Sequence, residues 1–169
     1  MTLQEEFKKY NSIIGRTEYT KETAKQLALW CSLVYKTDDR DFFEDTLSHY
    51  TKSDYKLFDN DGTEALCLKT GKTIILVFRG TEPNEMKDVV ADINIIPRRP
   101  ANEKQGIVHS GFALALDKIW PQVESYLDGI YQEGDCIYIS GHSLGGALAT
   151  VAAARSKYVC QVYTYGQPR

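Results

Sequence analysis

Gly141-His142-Ser143-Leu144-Gly145 fits the pattern G-x-S-x-G, with a serine held between two glycines. Such a serine is a candidate nucleophile for acyl transfer. Alone, the pattern is weak: at ordinary glycine and serine frequencies roughly one chain in twenty of this length carries it by chance. The flanks strengthen it. Residues 136–141, CIYISG, suit a strand, and residues 144–156, LGGALATVAAARS, suit a helix. A strand running into a helix through this pentapeptide forms a nucleophile elbow, which lifts the serine hydroxyl above the sheet. Gly141 and Gly145 permit the sharp turn, and Gly146 and Ala147 permit close helix–strand packing. The helix N-terminus behind Ser143 offers free N–H groups and a positive dipole end to a developing oxyanion. The bland alternative is an ordinary serine in a glycine-rich turn.

An oxyanion hole needs donors from more than one segment. One candidate is the N–H of Leu144, directly after the serine. The other lies in LVFRGTE, residues 76–82, where Thr81 follows an apolar strand and offers both its N–H and its hydroxyl. A serine of this type also needs a histidine base and a carboxylate, which in this fold come after it in the chain. Residues 144–169 contain no Asp, Glu or His. The three histidines are His49, His109 and His142. His142 adjoins the serine and is expected to point elsewhere. His49 is expected at the surface. His109 serves as a base only if the fold brings it within hydrogen-bond reach of Ser143.

These elements must sit in a sheet flanked by helices. Ala24, Leu27, Ala28, Cys31, Val34 and Tyr35 recur at helical spacing, so residues 20–35 read as a helix with Thr20 as N-cap. Residues 41–50 read as a second, short helix. Asn60-Asp61-Gly62 marks a hairpin between DYKLFD and TEALCLK, and Thr70-Gly71-Lys72 marks another turn. TIILVFRG then suits a strand buried on both faces. Residues 82–105 are polar and proline-bearing, without a clean strand pattern, with room for a short helix near 84–91. Residues 112–130 read as a helix that Pro121 kinks or restarts. The β-α-β order at the end, closing on CQVYTYG, indicates an α/β fold with a parallel sheet in one domain spanning residues 1–169.

Five motifs now combine: VFRGTE (77–82), ADINI (91–95), VHSGF (108–112), GHSLGGALA (141–149) and YTYGQPR (163–169). In this order they resemble the class 3, fungal-lipase-like branch of the α/β-hydrolases, over roughly residues 20–169. The resemblance implies an α/β-hydrolase-type, mostly parallel central sheet with flanking helices. It implies a serine ester hydrolase acting on acylglycerols or related lipid esters through an acyl-serine intermediate, without metal or cofactor. Ser143 is then the nucleophile, and Thr81 and Leu144 are the oxyanion residues. Asp92 supports the Thr81 hydroxyl, and residues 82–98 form a lid. His109 takes a structural role in its motif. A lipid or small acyl ester is the expected substrate, and a membrane or lipid interface the expected surface.

In the family the segment after GQPR continues into strands carrying the acid and the histidine. This chain therefore reads as the N-terminal portion of such a lipase, with the C-terminal strands missing and that segment of the same protein as its partner. Alone it is expected to be inactive. Two other readings remain: a non-catalytic lipase-like acyl-binding or regulatory module, and an esterase for short or aromatic acyl groups.

Composition agrees with these readings. Of 169 residues, 43% are hydrophobic and 25% charged, as in an ordinary globular domain. Twenty Lys and Arg against 23 Asp and Glu give a net charge of −3, which argues against a nucleic-acid partner. The N-terminus has no signal-peptide pattern, so the sequence points to the cytoplasm. Cys31, Cys67, Cys136 and Cys160 match no zinc spacing and read as buried thiols.

Overall fold

Thr73–Phe78, TIILVF, carries no charge and is buried at every position, so it needs apolar cover on both faces. In the computed structural model, which describes residues 2–9, 18–50, 55–81, 97–98 and 108–168, this run is the middle strand of a five-stranded sheet. In chain order the elements are α1 (Leu3–Lys9), α2 (Lys21–Val34), α3 (Arg40–Tyr50), β1 (Tyr55–Asn60), β2 (Thr63–Thr70), β3 (Thr73–Phe78), β4 (Pro97–Arg98) and β5 (Val108–His109). Then follow α4 (Ser110–Asp117), α5 (Trp120–Ile130), β6 (Cys136–His142), α6 (Leu144–Arg155) and β7 (Val159–Tyr165). The strand order is β1-β2-β3-β6-β7. β1, β2 and β3 form an antiparallel meander, and β3, β6 and β7 are parallel. Only β2 runs against the other strands of this sheet. The mostly parallel sheet with flanking helices is the α/β architecture expected from the sequence.

The alternation along β3 builds two cores. Ile74, Leu76 and Phe78 join Ile137 and Ile139 of β6 and meet Leu116, Val123, Leu127 and Leu148 of α4, α5 and α6. Ile75 and Val77 point the other way, with Tyr138 and Tyr163, against Leu27 and Trp30 of α2 and Phe43 of α3. Each fully buried side chain of this size contributes roughly 1.5–3 kcal/mol. The sheet is thus the shared wall of two apolar layers.

Most boundaries follow from local chemistry. Thr20 caps α2, its hydroxyl accepting from the Thr23 N–H at 3.0 Å. Asp61 and Gly62 have φ of 50° and 74°, the conformation that a two-residue hairpin turn between β1 and β2 needs. The helix expected over 112–130 is two helices. α4 ends at Asp117 and α5 restarts at Trp120, with Pro121 in the first turn where no N–H is required. Cys31, Cys67 and Cys136 are buried, and burial pushes the Cys31 and Cys67 thiols up to about 12.

Three elements were not expected. α1 is set by a capping box: the Glu5 N–H donates to Thr2 Oγ1 at 3.2 Å, and the Thr2 N–H donates to Glu5 Oε2 at 2.8 Å. Its Phe7 packs edge-on against Trp30, with ring centroids 5.0 Å apart. β4 and β5 pair Arg98 with Val108, and β4 lies in the 82–105 stretch that showed no strand pattern. The expected lid, 82–98, lies outside the described residues except for Pro97 and Arg98, and so does the short helix near 84–91.

The entry to β6 is pinned by a buried carboxylate. Asp135 accepts from Lys69 Nζ at 2.5 Å and from the Gln132 N–H at 2.9 Å, while the same ammonium reaches the Ile130 carbonyl at 2.8 Å. Burial raises the Asp135 pKa, but the bonds from Lys69 and Gln132, with the charges of Lys69 and Lys72, outweigh it and leave it below the ordinary value. A carboxyl depressed in the folded state stabilises above its unfolded pKa, about 3.9, and the stabilisation is lost as pH falls through the folded value. Asp135→Asn is therefore expected to cost about 2–3 kcal/mol at pH 7. In urea melts the gap between the two proteins should narrow as pH is taken below about 4. A gap independent of pH would contradict this account.

Candidate active site

Ser143 stands alone between the last residue of β6 and the first of α6. Its backbone has φ 54° and ψ −128°, a conformation that costs a non-glycine residue about 1–3 kcal/mol. Neighbouring backbone enforces it. The Ser143 N–H donates to the carbonyl of Tyr165, the last residue of β7, at 2.9 Å. The Ser143 carbonyl accepts from the Gly146 N–H at 2.9 Å, opening α6. A Cβ on Gly141 would lie 2.1 Å from the Gly145 carbonyl oxygen, and one on Gly145 would lie 2.3 Å from the Phe78 oxygen. Only hydrogen fits at these two positions, so the elbow presses directly against the end of β3. The residue itself is 4% exposed.

The loop after β3 crosses the same place. Phe78 is in register with Gly141, so β3 and β6 end side by side. A Cβ on Gly80 would lie 2.4 Å from the His142 carbonyl oxygen and 3.4 Å from the Gly145 nitrogen. Thr81, half-buried, is the next residue. Thus Thr81, Ser143 and Leu144 gather at the C-terminal ends of two adjacent parallel strands, the usual position of a site in such a sheet. Asp92 lies outside the described residues.

Arg79 anchors this loop. Its Nη1 donates to both oxygens of Glu64 at 3.0 Å and to Thr37 Oγ1 at 3.3 Å, and its Nη2 meets Asp38 at 2.9 Å. Its N–H donates to the Glu64 carbonyl at 3.0 Å, and its side chain is only 12% exposed. Charge-assisted bonds in such a position are stronger than neutral ones. They tie the segment carrying Thr81 to β2 and to the turn after α2.

The histidines divide as expected where they are described. His142 turns away from the elbow toward α2, with Nδ1 3.1 Å from the Tyr35 hydroxyl. His49 is exposed, its Nδ1 2.6 Å from the Asp45 carbonyl. His109 is paired with Pro97 in the small sheet. Tyr35 and Tyr165 were missed as site residues. Tyr35 read as part of an amphipathic helix face, and the role of Tyr165 is played by its backbone carbonyl, which no residue type announces. Among the described residues no group of three or more His, Cys, Asp or Glu is placed to hold a metal ion.

Two substitutions separate strain from space. Ser143→Gly removes a side chain that disfavours this backbone, so it should raise the unfolding free energy by about 1–2 kcal/mol while deleting the candidate nucleophile. Gly145→Ala should lower it by about 2–3 kcal/mol through the clash with Phe78. Gly129→Ala in α5, where an added methyl meets nothing within 4 Å, should instead be neutral or stabilising. Denaturant melts of the three variants check the order. A destabilised Ser143→Gly would mean that the elbow is not strained.

Residues 75–169 match the family described as Lipase (class 3). A lipase of Caenorhabditis elegans is 30% identical over 105 residues, which cover 57% of this chain and 29% of the relative. The secreted mono- and diacylglycerol lipase 1 of Fusarium solani is 36% identical over 67 residues, 37% of this chain and 20% of the relative. The chain thus spans less than a third of the length of these curated relatives. The triacylglyceride lipase of Rhizomucor miehei has the same fold, with a TM-score of 0.68 at 23% identity over 89% of this chain and 64% of that one. The matched stretch is more than half of the sequence, and it includes both the Thr81 loop and the elbow: the chain belongs to the class 3 lipase family.

Proposed function

We propose that this chain carries the nucleophile and oxyanion half of a serine hydrolase for lipid esters. The observation that carries the reading is Ser143, a non-glycine residue held at φ 54° between a strand and a helix, with the Thr81 loop packed across the same turn. Strain of this kind persists where the surroundings over-determine it, and it clusters at active sites. The names of the relatives, a mono- and diacylglycerol lipase and a triacylglyceride lipase, support acylglycerols or related esters as substrates.

In this reading Ser143 Oγ attacks the ester carbonyl. The N–H of Leu144, in the first turn of α6, and the N–H and hydroxyl of Thr81 receive the oxyanion. Collapse expels the alcohol, and water then hydrolyses the acyl-serine. Asp92 holds the Thr81 hydroxyl, and residues 82–98 cover the site and meet the lipid interface. The serine proton needs an acceptor. Residues 144–169 hold no His, Asp or Glu, and His142 Nδ1 is already engaged by Tyr35. The base and acid are therefore supplied from outside residues 144–169.

The same deficit favours one rival, a non-catalytic module that keeps an acyl pocket. A fluorophosphonate probe separates the two. We expect it to label the 169-residue chain slowly, and to fail on Ser143→Ala. Turnover of a soluble p-nitrophenyl ester should stay within about 10³–10⁴-fold of the uncatalysed rate, the level that an oxyanion hole alone sustains. Lipid binding without any labelling would favour the module. Fast turnover abolished by Ser143→Ala would mean that a base lies within the chain, and His109→Ala would then test the candidate.

A further inference from the structure

Tyr35 follows the last residue of α2, and its side chain reaches the ends of β3 and β6. A Cβ on Gly80 would lie 2.3 Å from the Tyr35 hydroxyl and 2.4 Å from the His142 carbonyl oxygen. The two oxygens therefore flank the α-hydrogen of Gly80 that stands where a side chain would begin. The same hydroxyl lies 3.1 Å from His142 Nδ1. One oxygen thus touches both the loop that bears Thr81 and the residue before Ser143.

The ring extends the contact. The Arg79 guanidinium carbon lies 6.0 Å from the Tyr35 ring centroid, at the outer reach of a cation–π contact. The His142 ring meets the Tyr35 ring edge-on, with centroids 6.0 Å apart and planes at 69°. Arg79, Gly80 and Thr81 are consecutive, so Tyr35 grips the two residues that lead into Thr81. The ion pairs of Arg79 tie this loop to β2 and to the turn after α2. The Tyr35 hydroxyl, through His142, ties it to the elbow.

Packing alone does not hold the ring. Tyr35 is half-buried and borders a cavity of about 280 Å³, lined also by Ala28, Cys31, Ser32, His142 and Tyr165. A ring without the hydroxyl would keep its face to Arg79, lose the bond to His142 and have space to tilt off Gly80. We propose that Tyr35 is a positioning residue for the oxyanion hole. Its hydroxyl, held by His142 Nδ1, keeps Gly80 against the elbow and so sets the distance between the Thr81 N–H and Ser143. This rests on the hydrolase reading and adds to it a residue that touches no substrate.

The test follows fluorophosphonate labelling of Ser143 in the 169-residue chain. Ser143 Oγ attacks phosphorus, fluoride leaves, the serine proton passes to water, and the phosphoryl oxygen gains negative charge in the transition state. The maximal labelling rate therefore reads the oxyanion hole, and the half-saturating probe concentration reads binding. Tyr35→Phe should lower the maximal rate about tenfold, less than the 10²–10³ of a donor lost outright, and leave the half-saturating concentration within about twofold. Thr81→Ala should cost less in Tyr35→Phe than in the unaltered chain, since residues that act together are not additive. A merely structural tyrosine would lower the melting midpoint and move neither readout. The backbone amide signals of Gly80 and Thr81 should also shift in Tyr35→Phe, while those of α5 stay in place. If Tyr35→Phe does not melt cooperatively, His142→Leu, which removes the hydroxyl's partner, takes its place. His142→Asn, which restores a polar atom near the Nδ1 position, should then recover the rate. Equal maximal rates, additive losses or unmoved Thr81 signals would each overturn the proposal. Labelling that Tyr35→Phe leaves unchanged removes the positioning role and keeps the hydrolase. Failure of the unaltered chain to label removes the hydrolase, and the oxyanion role with it.

Discussion

The structure turns on the contact between the Gly145 α-carbon and the carbonyl of Phe78. Added carbon at Gly145 would sit 2.3 Å from that oxygen, so the two backbones touch with nothing between them. This approach keeps the Ser143 turn tight. A wider turn would let the serine relax toward ordinary backbone angles and sink into the sheet. Everything else at the site is arranged around it: β3 and β6 must be adjacent and in register, α6 must begin at once, and the loop after β3 must pass over the turn. The two apolar layers that grip β3 supply the stability against which a few kilocalories of local strain can be held.

Arg79 shows how the second half of the site is fixed. A loop that leaves a strand end is normally among the more mobile parts of a fold. Here the residue between Phe78 and Gly80 is sunk into acceptors from two places in the chain, Glu64 of β2 and the adjacent Thr37 and Asp38 after α2. Glu64 belongs to β2, so the meander that extends the parallel part of the sheet also holds the segment bearing Thr81. In the proposed hydrolase, donors held this way would need no rearrangement when charge develops.

Much of this was legible in the residues. The elbow was read from glycine spacing between an apolar run and a small-residue helix, because steric demand at a tight turn leaves few residue choices. The burial of β3 on both faces was read from its uninterrupted apolar run. Thr20 and Asp61-Gly62 gave their elements away because capping and left-handed turns depend on local chemistry. The T-x-x-E capping box of Thr2 and Glu5 is equally local, and its signature stands in the sequence. The bond between His142 Nδ1 and the Tyr35 hydroxyl was not legible. It arises where the end of α2 meets β6, and the sequence holds no local trace of that juxtaposition. The same is true of the Tyr165 carbonyl, since every residue has one.

The bond from the Ser143 N–H to that carbonyl has a bearing on how the molecule is made. Tyr165 follows the serine by about twenty residues and ends β7. A ribosome adding about 5–20 residues per second takes roughly 1–4 seconds to cover that distance. During that interval the meander, α2 and β6 have been synthesised, but the elbow lacks its acceptor. The strained turn is therefore free to relax until β7 docks. The left-handed geometry of Ser143 is thus fixed only when β7 docks, not when the turn itself is made.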